Sequence, residues 1–213
     1  ASDHHRVTGE YSPDATSSGR RALQGLALNY LCLAGQSLND DHWAQQAVQA
    51  FNRANNMTER MHALQALVAV CHPLAEQALA AFYHQFKHEE LVLDKWFAVQ
   101  ASACDHHGHV LGRVRQLMQH PDFQFRNPNR ARSLVSSYCS NPAAFHRTDA
   151  AGYVFWSERV LELDSFNPQV AARLARALDR WRKLSEPYRS AAHEAIRRVA
   201  AKEDLSADVR EVI

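Results

Sequence analysis

The residues from Phe125 to Leu134 read Phe-Arg-Asn-Pro-Asn-Arg-Ala-Arg-Ser-Leu and combine a helix-start signal with two nearby cations. Asn127 can cap a backbone N–H that lacks a partner, and Pro128 at the first helical position removes an N–H that would lack one anyway. Arg130 and Arg132 follow, although peptide dipoles at a helix start favour acids. The pattern indicates either an anion-binding corner of N–H groups and guanidiniums, or surface arginines whose penalty is roughly a few tenths of a kcal/mol.

A second group of cations lies between residues 173 and 202, where Arg173, Arg176 and Arg180 fall at helical spacing on one face. The segment holds nine Lys or Arg and three acidic residues, so its formal charge is 9 − 3 = +6. A solvated helix surface is the simplest interpretation, and a docking or ligand-facing surface is the next. Nucleic acid is disfavoured as a partner, because aromatic side chains are not interleaved with the basic ones as base stacking requires.

The chain has 13 histidines, which makes metal binding the next chemistry to weigh. Cys104, His106, His107 and His109 could in principle hold a transition metal. A second pair of ligands at a fixed spacing is missing from this cluster, and solvated loop histidines explain it more simply. We therefore predict no metal site and no cofactor in this chain.

Signatures of catalysis are also missing from the sequence. His88 and His193 are each followed by Glu, as in the His-Glu-x-x-His motif of zinc peptidases, but the second histidine of the motif is replaced by Val92 or Arg197. The chain has neither a Gly-x-Ser-x-Gly nucleophile elbow nor a Gly-rich phosphate or dinucleotide loop. We predict that this chain alone is not an active enzyme.

Composition predicts an all-α protein. Of 213 residues, 46% are hydrophobic, and only seven are Gly and seven Pro, while strong helix formers are abundant. The formal net charge is 24 − 23 = +1, so no global field argues for nucleic acid or a membrane as partner. No apolar run approaches the ~20 residues that a membrane-spanning helix needs.

The four cysteines lie far apart and each is surrounded by apolar residues, which predicts buried free thiols in a reducing, cytoplasmic compartment. They are Cys32, Cys71, Cys104 and Cys139. The intervals between them are 39, 33 and 35 residues, close to the length of one helix pair in solenoid repeats.

Apolar residues recur every three or four positions in about a dozen segments, each bounded by helix-start or helix-stop signals. Gly35 is predicted as the left-handed residue that ends the first helix, and Thr58 as the cap of the third. Asn141-Pro142 and Asn167-Pro168 predict two further helix starts.

The order of short helices favours a superhelical array of antiparallel helix pairs, an armadillo- or HEAT-like α-solenoid, over a four-helix bundle. We predict a poorly ordered lead-in over residues 1–13 and a single helical-repeat domain over residues 14–213. The amino end lacks an initiator Met and an apolar signal segment, so we expect the chain to be a fragment of a longer polypeptide.

Five ordered strings closely resemble the carboxy-terminal helical domain of bacterial aminopeptidase N, a zinc-dependent alanyl aminopeptidase of the gluzincin class. They are Ala54-Asn-Asn-Met-Thr58, Leu91-Val-Leu-Asp-Lys-Trp-Phe97, Asn127-Pro-Asn-Arg130 with Arg132-Ser-Leu134, Asn141-Pro-Ala-Ala-Phe-His146, and Asn167-Pro-Gln-Val-Ala171 with Arg173-Leu174. The resemblance runs from about Tyr11 to the end of the chain.

The resemblance implies that the zinc and its ligands belong to a catalytic domain upstream in the same polypeptide, which would be the main partner of this chain. The terminal domain would close over that site, shape its chamber and help to orient peptide substrates. It also implies that two arginines face the chamber, and by motif they fall on Arg132 and Arg173. Arg130 is the lesser candidate for substrate binding.

A second hypothesis is an independent helical-repeat scaffold for protein interactions. The two hypotheses differ in what they predict for Arg132 and Arg173. An aminopeptidase domain should expose both guanidiniums to a peptide carboxylate, which a planar guanidinium binds through two charge-assisted hydrogen bonds. A scaffold should instead present a broad interaction groove.

Overall fold

The computed structural model describes residues 11–105 and 108–213, and within these residues it contains helices and no strand. The predicted all-α class is confirmed. Of the predicted lead-in, residues 1–10 lie outside the described residues, and residues 11–13 precede the first helix without regular structure. The α-helices of the described residues are, in chain order, α1 (Ala15–Leu38), α2 (His42–Arg53), α3 (Met57–Ala69), α4 (Leu74–Phe86), α5 (Glu90–Ala101), α6 (His109–Leu117), α7 (Pro128–Ala131), α8 (Ser137–Cys139), α9 (Pro142–Phe145), α10 (Ala151–Asp164), α11 (Pro168–Ala175), α12 (Tyr188–Ala200) and α13 (Ala207–Val212).

Three shorter turns complete the helical structure of the described residues. A five-residue π-helix, Arg132–Ser136, joins α7 to α8, and 3₁₀ turns cover Arg176–Leu178 and Trp181–Lys183. The chain divides into two compact units, of which the first ends at Val99 and the second begins at Gln100, within α5. This division does not test the predicted single domain over residues 14–213, which stays a prediction.

The first unit is organised around α3. Helix α3 packs against α1, α2 and α4, and its Leu64 and Leu67 are fully buried. The ring of His62 lies so close to Gly25 of α1 that a Cβ added at Gly25 would come within 2.4 Å of it. Glycine is therefore required at this position because the two helices approach each other closely.

The second unit is organised around α10, which packs against α9, α11 and α12. Trp156 of α10 is fully buried, and its indole Nε1–H donates a hydrogen bond to the carbonyl oxygen of Leu174 at 3.0 Å. Tyr138 is also fully buried and donates to the Ala144 carbonyl at 3.1 Å. Buried aromatic side chains thus carry their polar atoms into hydrogen bonds with neighbouring helices.

Two predicted helix boundaries are wrong. Gly35 is inside α1, where an added Cβ would lie 2.7 Å from the Asp40 carbonyl oxygen, and the left-handed residue that ends the helix is Asn39, with φ of 54°. The cap of α3 is Asn56, whose side chain accepts from the N–H of Glu59 at 3.0 Å, while Thr58 lies within the helix. Gly35 is therefore required for close packing, whereas asparagine residues cap the end of α1 and the start of α3.

The prediction of four buried thiols is wrong for half of them. Cys32 and Cys139 are buried, whereas Cys71 and Cys104 are exposed, and all four are free of disulfide bonds. Burial raises the pKa of the Cys32 thiol to about 11. In the described part of the chain, no helix is both long and apolar enough to cross a membrane.

Candidate functional site

The predicted helix start before Arg132 is confirmed. The side chain of Asn127 accepts hydrogen bonds from the backbone N–H groups of Asn129 at 3.0 Å and Arg130 at 3.4 Å, and Pro128 occupies the first helical position. This cap fixes the start of α7 and so places Arg132 one turn into the helical segment.

Arg132 begins the π-helix, a feature that sequence reasoning missed. The Arg132 carbonyl oxygen accepts from the N–H of Ser137, five residues on, which is the hydrogen bond that defines a π-helix. The Ser137 hydroxyl also donates to this carbonyl, at 3.5 Å. Single π turns occur often at functional sites because they re-aim the side chains on either side.

An open depression of about 580 Å³ lies beside this turn. Its lining side chains are small or polar, and Arg132 is the one charged residue among the described residues that form it. They are Ser102, Arg132, Ser136, Ser137, Ser140, Asn141 and Pro142. One guanidinium among serine hydroxyl groups makes a surface suited to a carboxylate, which needs a cation and several hydrogen-bond donors.

Asn141 holds one wall of the depression in place. Its side-chain N–H₂ group donates to the carbonyl oxygens of Ala101 at 3.1 Å and Ala103 at 2.7 Å, at the end of α5. The Asn141-Pro142 start is thus confirmed as a helix boundary, but the amide binds the end of α5 instead of capping α9.

The guanidinium of Arg132 is exposed, and one of its nitrogen atoms is hydrogen-bonded. Its Nη2 donates to the Asn129 side-chain oxygen at 2.7 Å, and within the described residues no carboxylate pairs with it. Its remaining N–H groups can therefore meet an incoming anion, because a guanidinium carries five donors.

Arg173 lies on a different part of the second unit. Asn167 caps α11 by accepting from the Val170 N–H at 3.2 Å, which confirms the predicted Asn167-Pro168 start. Arg173 is exposed and makes no ion pair or hydrogen bond within the described residues through its side chain. Helix α11 packs against α10 and α13, and Arg173 does not line the depression at Arg132. No described contact brings the two arginines together.

Arg130 is buried, unlike Arg132 and Arg173. It is only 5% exposed, and the Ser133 hydroxyl donates to its carbonyl oxygen at 2.9 Å. The structure thus places Arg130 in the interior of the second unit, away from the open depression, and its role in substrate binding stays a prediction.

The cations of the basic segment 173–202 are mainly exposed, and some of them have local partners. Arg176 pairs with Asp179 at 3.9 Å, Arg189 pairs with Glu186 at 2.8 Å, and the guanidinium of Arg182 lies 4.6 Å above the Trp181 ring. This arrangement agrees with a solvated helix surface, because exposed pairs of this kind contribute little to stability.

The histidine cluster is only partly described. Cys104 and His109 are exposed, whereas His106 and His107 lie outside the described residues. Within the residues that the structure describes, no group of three or more His, Cys, Asp or Glu side chains could hold a metal ion. A zinc centre therefore finds no fitting set of ligands in this part of the molecule.

Sequence reasoning missed the serines of the depression. Ser136, Ser137 and Ser140 lie four, five and eight residues after Arg132, and this spacing places small hydroxyl side chains on one side of a helix. The signal is weak by itself, because serine is common on exposed helix surfaces. The π turn that aligns these serines with Arg132 has no known sequence mark.

The chain is similar to known proteins over nearly its whole length. All of the chain, residues 1–213, matches a family described as a domain of unknown function (DUF3458_C) with ARM repeats. The chain is 39% identical to aminopeptidase N of Caulobacter vibrioides over 97% of its length, and 36% identical to that of Escherichia coli over 96%. It spans 23% of the length of each of these curated relatives.

A solved structure agrees with these matches. The crystal structure of Legionella pneumophila aminopeptidase A in complex with aspartic acid aligns with 99% of this chain and 25% of its own chain, with a TM-score of 0.86 and 27% identity. The predicted array of repeated helices and the predicted resemblance to the carboxy-terminal domain of aminopeptidase N are both confirmed.

Proposed function

The chain belongs to the DUF3458_C family of ARM-repeat domains, and from this premise we propose that it is the terminal domain of an aminopeptidase that removes N-terminal residues from peptides. The observation that carries the proposal is the similarity to curated aminopeptidases N, at 35% to 39% identity over nearly the whole chain. In this proposal the parent is a zinc-dependent alanyl aminopeptidase whose zinc centre lies upstream, as the resemblance to bacterial aminopeptidase N implies.

The role of this domain is to close the active-site chamber and to hold the peptide, and the chain alone has no peptidase activity. Arg132 contributes the cation for the peptide's carboxylate, and the serines of the depression contribute hydroxyl donors. Arg173 adds a second positive charge that attracts the same carboxylate. The support for these roles is that both guanidiniums are exposed and free of carboxylate partners within the described residues.

We propose the reducing cytoplasm as the compartment. The support is that the four cysteines form no disulfide bond with one another, as is usual for cytosolic proteins.

The test is a comparison of substrates in the full-length enzyme. Arg132→Ala should raise KM for peptides roughly 5- to 150-fold more than for an alanine aryl amide, which has no carboxylate, because a hydrogen bond to a charged group is worth about 1 to 3 kcal/mol. Arg173→Ala should show the same preference with a smaller effect. Arg176→Ala is the matched control, because Arg176 is exposed and already pairs with Asp179.

Two outcomes would contradict the proposal. An equal rise in KM for both substrates would show that Arg132 does not bind the peptide carboxylate, but it would not contradict the proposal that the parent is a peptidase. A full-length polypeptide without any peptidase activity would favour the independent scaffold instead.

A further inference from the structure

Asn129 holds the guanidinium of Arg132 from outside the depression. Within the described residues, the one hydrogen bond of this guanidinium runs from its Nη2 to the Asn129 side-chain oxygen, at 2.7 Å. Asn129 is exposed and does not line the depression. It lies three residues before Arg132, a spacing that brings two side chains together on one face of a helix.

The backbone of Asn129 is itself fixed at both of its polar groups. Its N–H donates to the side-chain oxygen of Asn127 at 3.0 Å, and its carbonyl oxygen accepts from the N–H of Arg132. Pro128, directly before it, has a restricted backbone. The side-chain oxygen that receives the guanidinium therefore starts from a well-defined place on the helix.

The acceptor that Asn129 offers is a neutral amide oxygen. It orients the guanidinium through one donor and leaves both the positive charge and the remaining donors uncompensated. A carboxylate at the same place would form a stronger, charge-assisted hydrogen bond, but it would also compensate the charge of Arg132. An arginine that must bind an incoming anion is served better by the weaker, neutral partner.

Arg189 shows the alternative at the same spacing in the same unit. The residue three positions before it is Glu186, and the carboxylate accepts from Nε of Arg189 at 2.9 Å and pairs with its Nη2 at 2.8 Å. Both arginines are exposed and both lie near the start of a helical segment. Arg189 is thus an arginine paired locally with an acid, whereas Arg132 is oriented without being paired.

We propose that Asn129 is a positioning residue of the site at Arg132. Its amide oxygen orients the guanidinium toward the peptide carboxylate, and its neutrality keeps the charge of Arg132 available to that carboxylate. The inference rests on the proposed function, since it takes Arg132 to bind the carboxylate of a peptide.

The test compares two substitutions of Asn129 in the full-length enzyme. The quantity measured is the KM for a peptide divided by the KM for an alanine aryl amide, which has no carboxylate. Asn129→Asp keeps the size and the acceptor and adds a negative charge, so it should raise this ratio at least about tenfold. Asn129→Ala removes the acceptor without adding charge and should raise the ratio only about two- to fivefold.

The order of the two effects separates positioning from a merely structural role. If Asn129 only stabilised the helix start, Asp would be the milder change, because it keeps the hydrogen bond that Ala loses. Asn52→Asp is the matched control, since Asn52 is exposed on α2 and its side chain makes no hydrogen bond within the described residues. This control should change the ratio less than about twofold, because solvent and salt screen a distant charge.

A second comparison repeats both substitutions in an enzyme that carries Arg132→Ala. Without the guanidinium there is no charge to keep available, so each should then change the ratio less than about twofold.

Three outcomes would overturn the proposal. An effect of Asn129→Asp no larger than that of Asn129→Ala would show that neutrality is not what matters, and effects that persist with Arg132→Ala would show that Asn129 acts by another route. In either case a higher ratio with Arg132→Ala alone would still support the proposed function. If Arg132→Ala alone leaves the ratio unchanged, the carboxylate contact of the proposed function fails, and this inference fails with it.

Discussion

The outer faces of α1 and α12 lie in the first and last parts of the chain and have opposite chemistry. On α1 the exposed residues Leu23, Leu26, Tyr30 and Leu38 form one apolar stripe, and the helix has no charged residue from Ala22 to Leu38. The exposed residues of α12 are nearly all charged or polar, although the same helix buries Ala192, Ala195 and Val199 on its inner face. The exposed residues of α12 are Arg189, Ser190, His193, Glu194, Arg197, Arg198 and Ala200.

This difference shows two ways in which a repeat can present its outer face. A face that meets water is polar, and α12 has such a face. An apolar outer face is instead the face that an internal repeat presents to its neighbour. The two helices thus differ in the polarity of their exposed residues, and the following predictions test how the unit that contains each helix is held together.

The largest effect on stability is expected at Asp164, which joins two helices of the second unit. This carboxylate is only 6% exposed, and it accepts hydrogen bonds from the backbone N–H of Ser206 at 3.0 Å and from the Ser206 hydroxyl. Ser206 caps α13, so the contact joins α13 to the end of α10. Asp164→Ala should lower the free energy of unfolding by about 1.5 to 3 kcal/mol, since it leaves these donors without a charged acceptor.

The measurement for Asp164→Ala is urea denaturation of the 213-residue chain, with Asp179→Ala as control. Asp179 forms an exposed pair with Arg176, so its loss should change stability by about 0.5 kcal/mol or less. Similar losses for the two variants would show that the stability of the second unit does not depend on the buried carboxylate.

A comparable or smaller effect on stability is expected at Gly25 of α1, in the first unit. Gly25→Ala should destabilise the chain by about 1 to 3 kcal/mol, because the added Cβ would press on the His62 ring. Gly19→Ala on the same helix should be stabilising by up to about 1 kcal/mol, since nothing lies within 4 Å of its added Cβ. Thermal unfolding of both variants gives the sign, and a loss at both positions would contradict close packing as the cause.

The smallest effect is a dependence on pH at His62. Burial lowers the pKa of this histidine below its ordinary value of 6.5. The unfolded chain therefore binds a proton more readily than the folded one. The free energy of unfolding is not reduced by His62 above pH 6.5, and it falls as the pH drops below that value. His62→Gln should reduce the loss of stability between pH 7.5 and pH 5, as measured by urea denaturation at both values. An unchanged loss would exclude His62 as a source of the pH dependence.

The sequence predicted the starts of helices better than their ends. Asn127 and Asn167 cap their helices as predicted, because the Asn-Pro pair acts through local chemistry alone. Gly35 was predicted as a cap, but Trp43 and the Asp40 carbonyl pack against it and require a residue without a side chain. A glycine with a tertiary role resembles a glycine with a local role in the sequence.

The candidate site was predictable only in part. The resemblance singled out Arg132 and Arg173 as facing the chamber, and both side chains are exposed. The burial of Arg130 was not predictable, because one residue of helical rotation decides whether a side chain near a helix start faces the interior or solvent. Nor could the sequence predict the depression, since Asn141 and the serines reach it only through tertiary packing.

The π-helix at Arg132–Ser136 is equivalent to the insertion of one residue into a continuous α-helix from α7 to α8. Each residue of an α-helix turns the chain by about 100°, so deletion of any one residue of this segment would rotate Ser137 and the residues up to Cys139 away from Arg132 by roughly that angle. The pairing of one guanidinium with its hydroxyl neighbours is thus encoded by the length of the segment as much as by the identity of its residues.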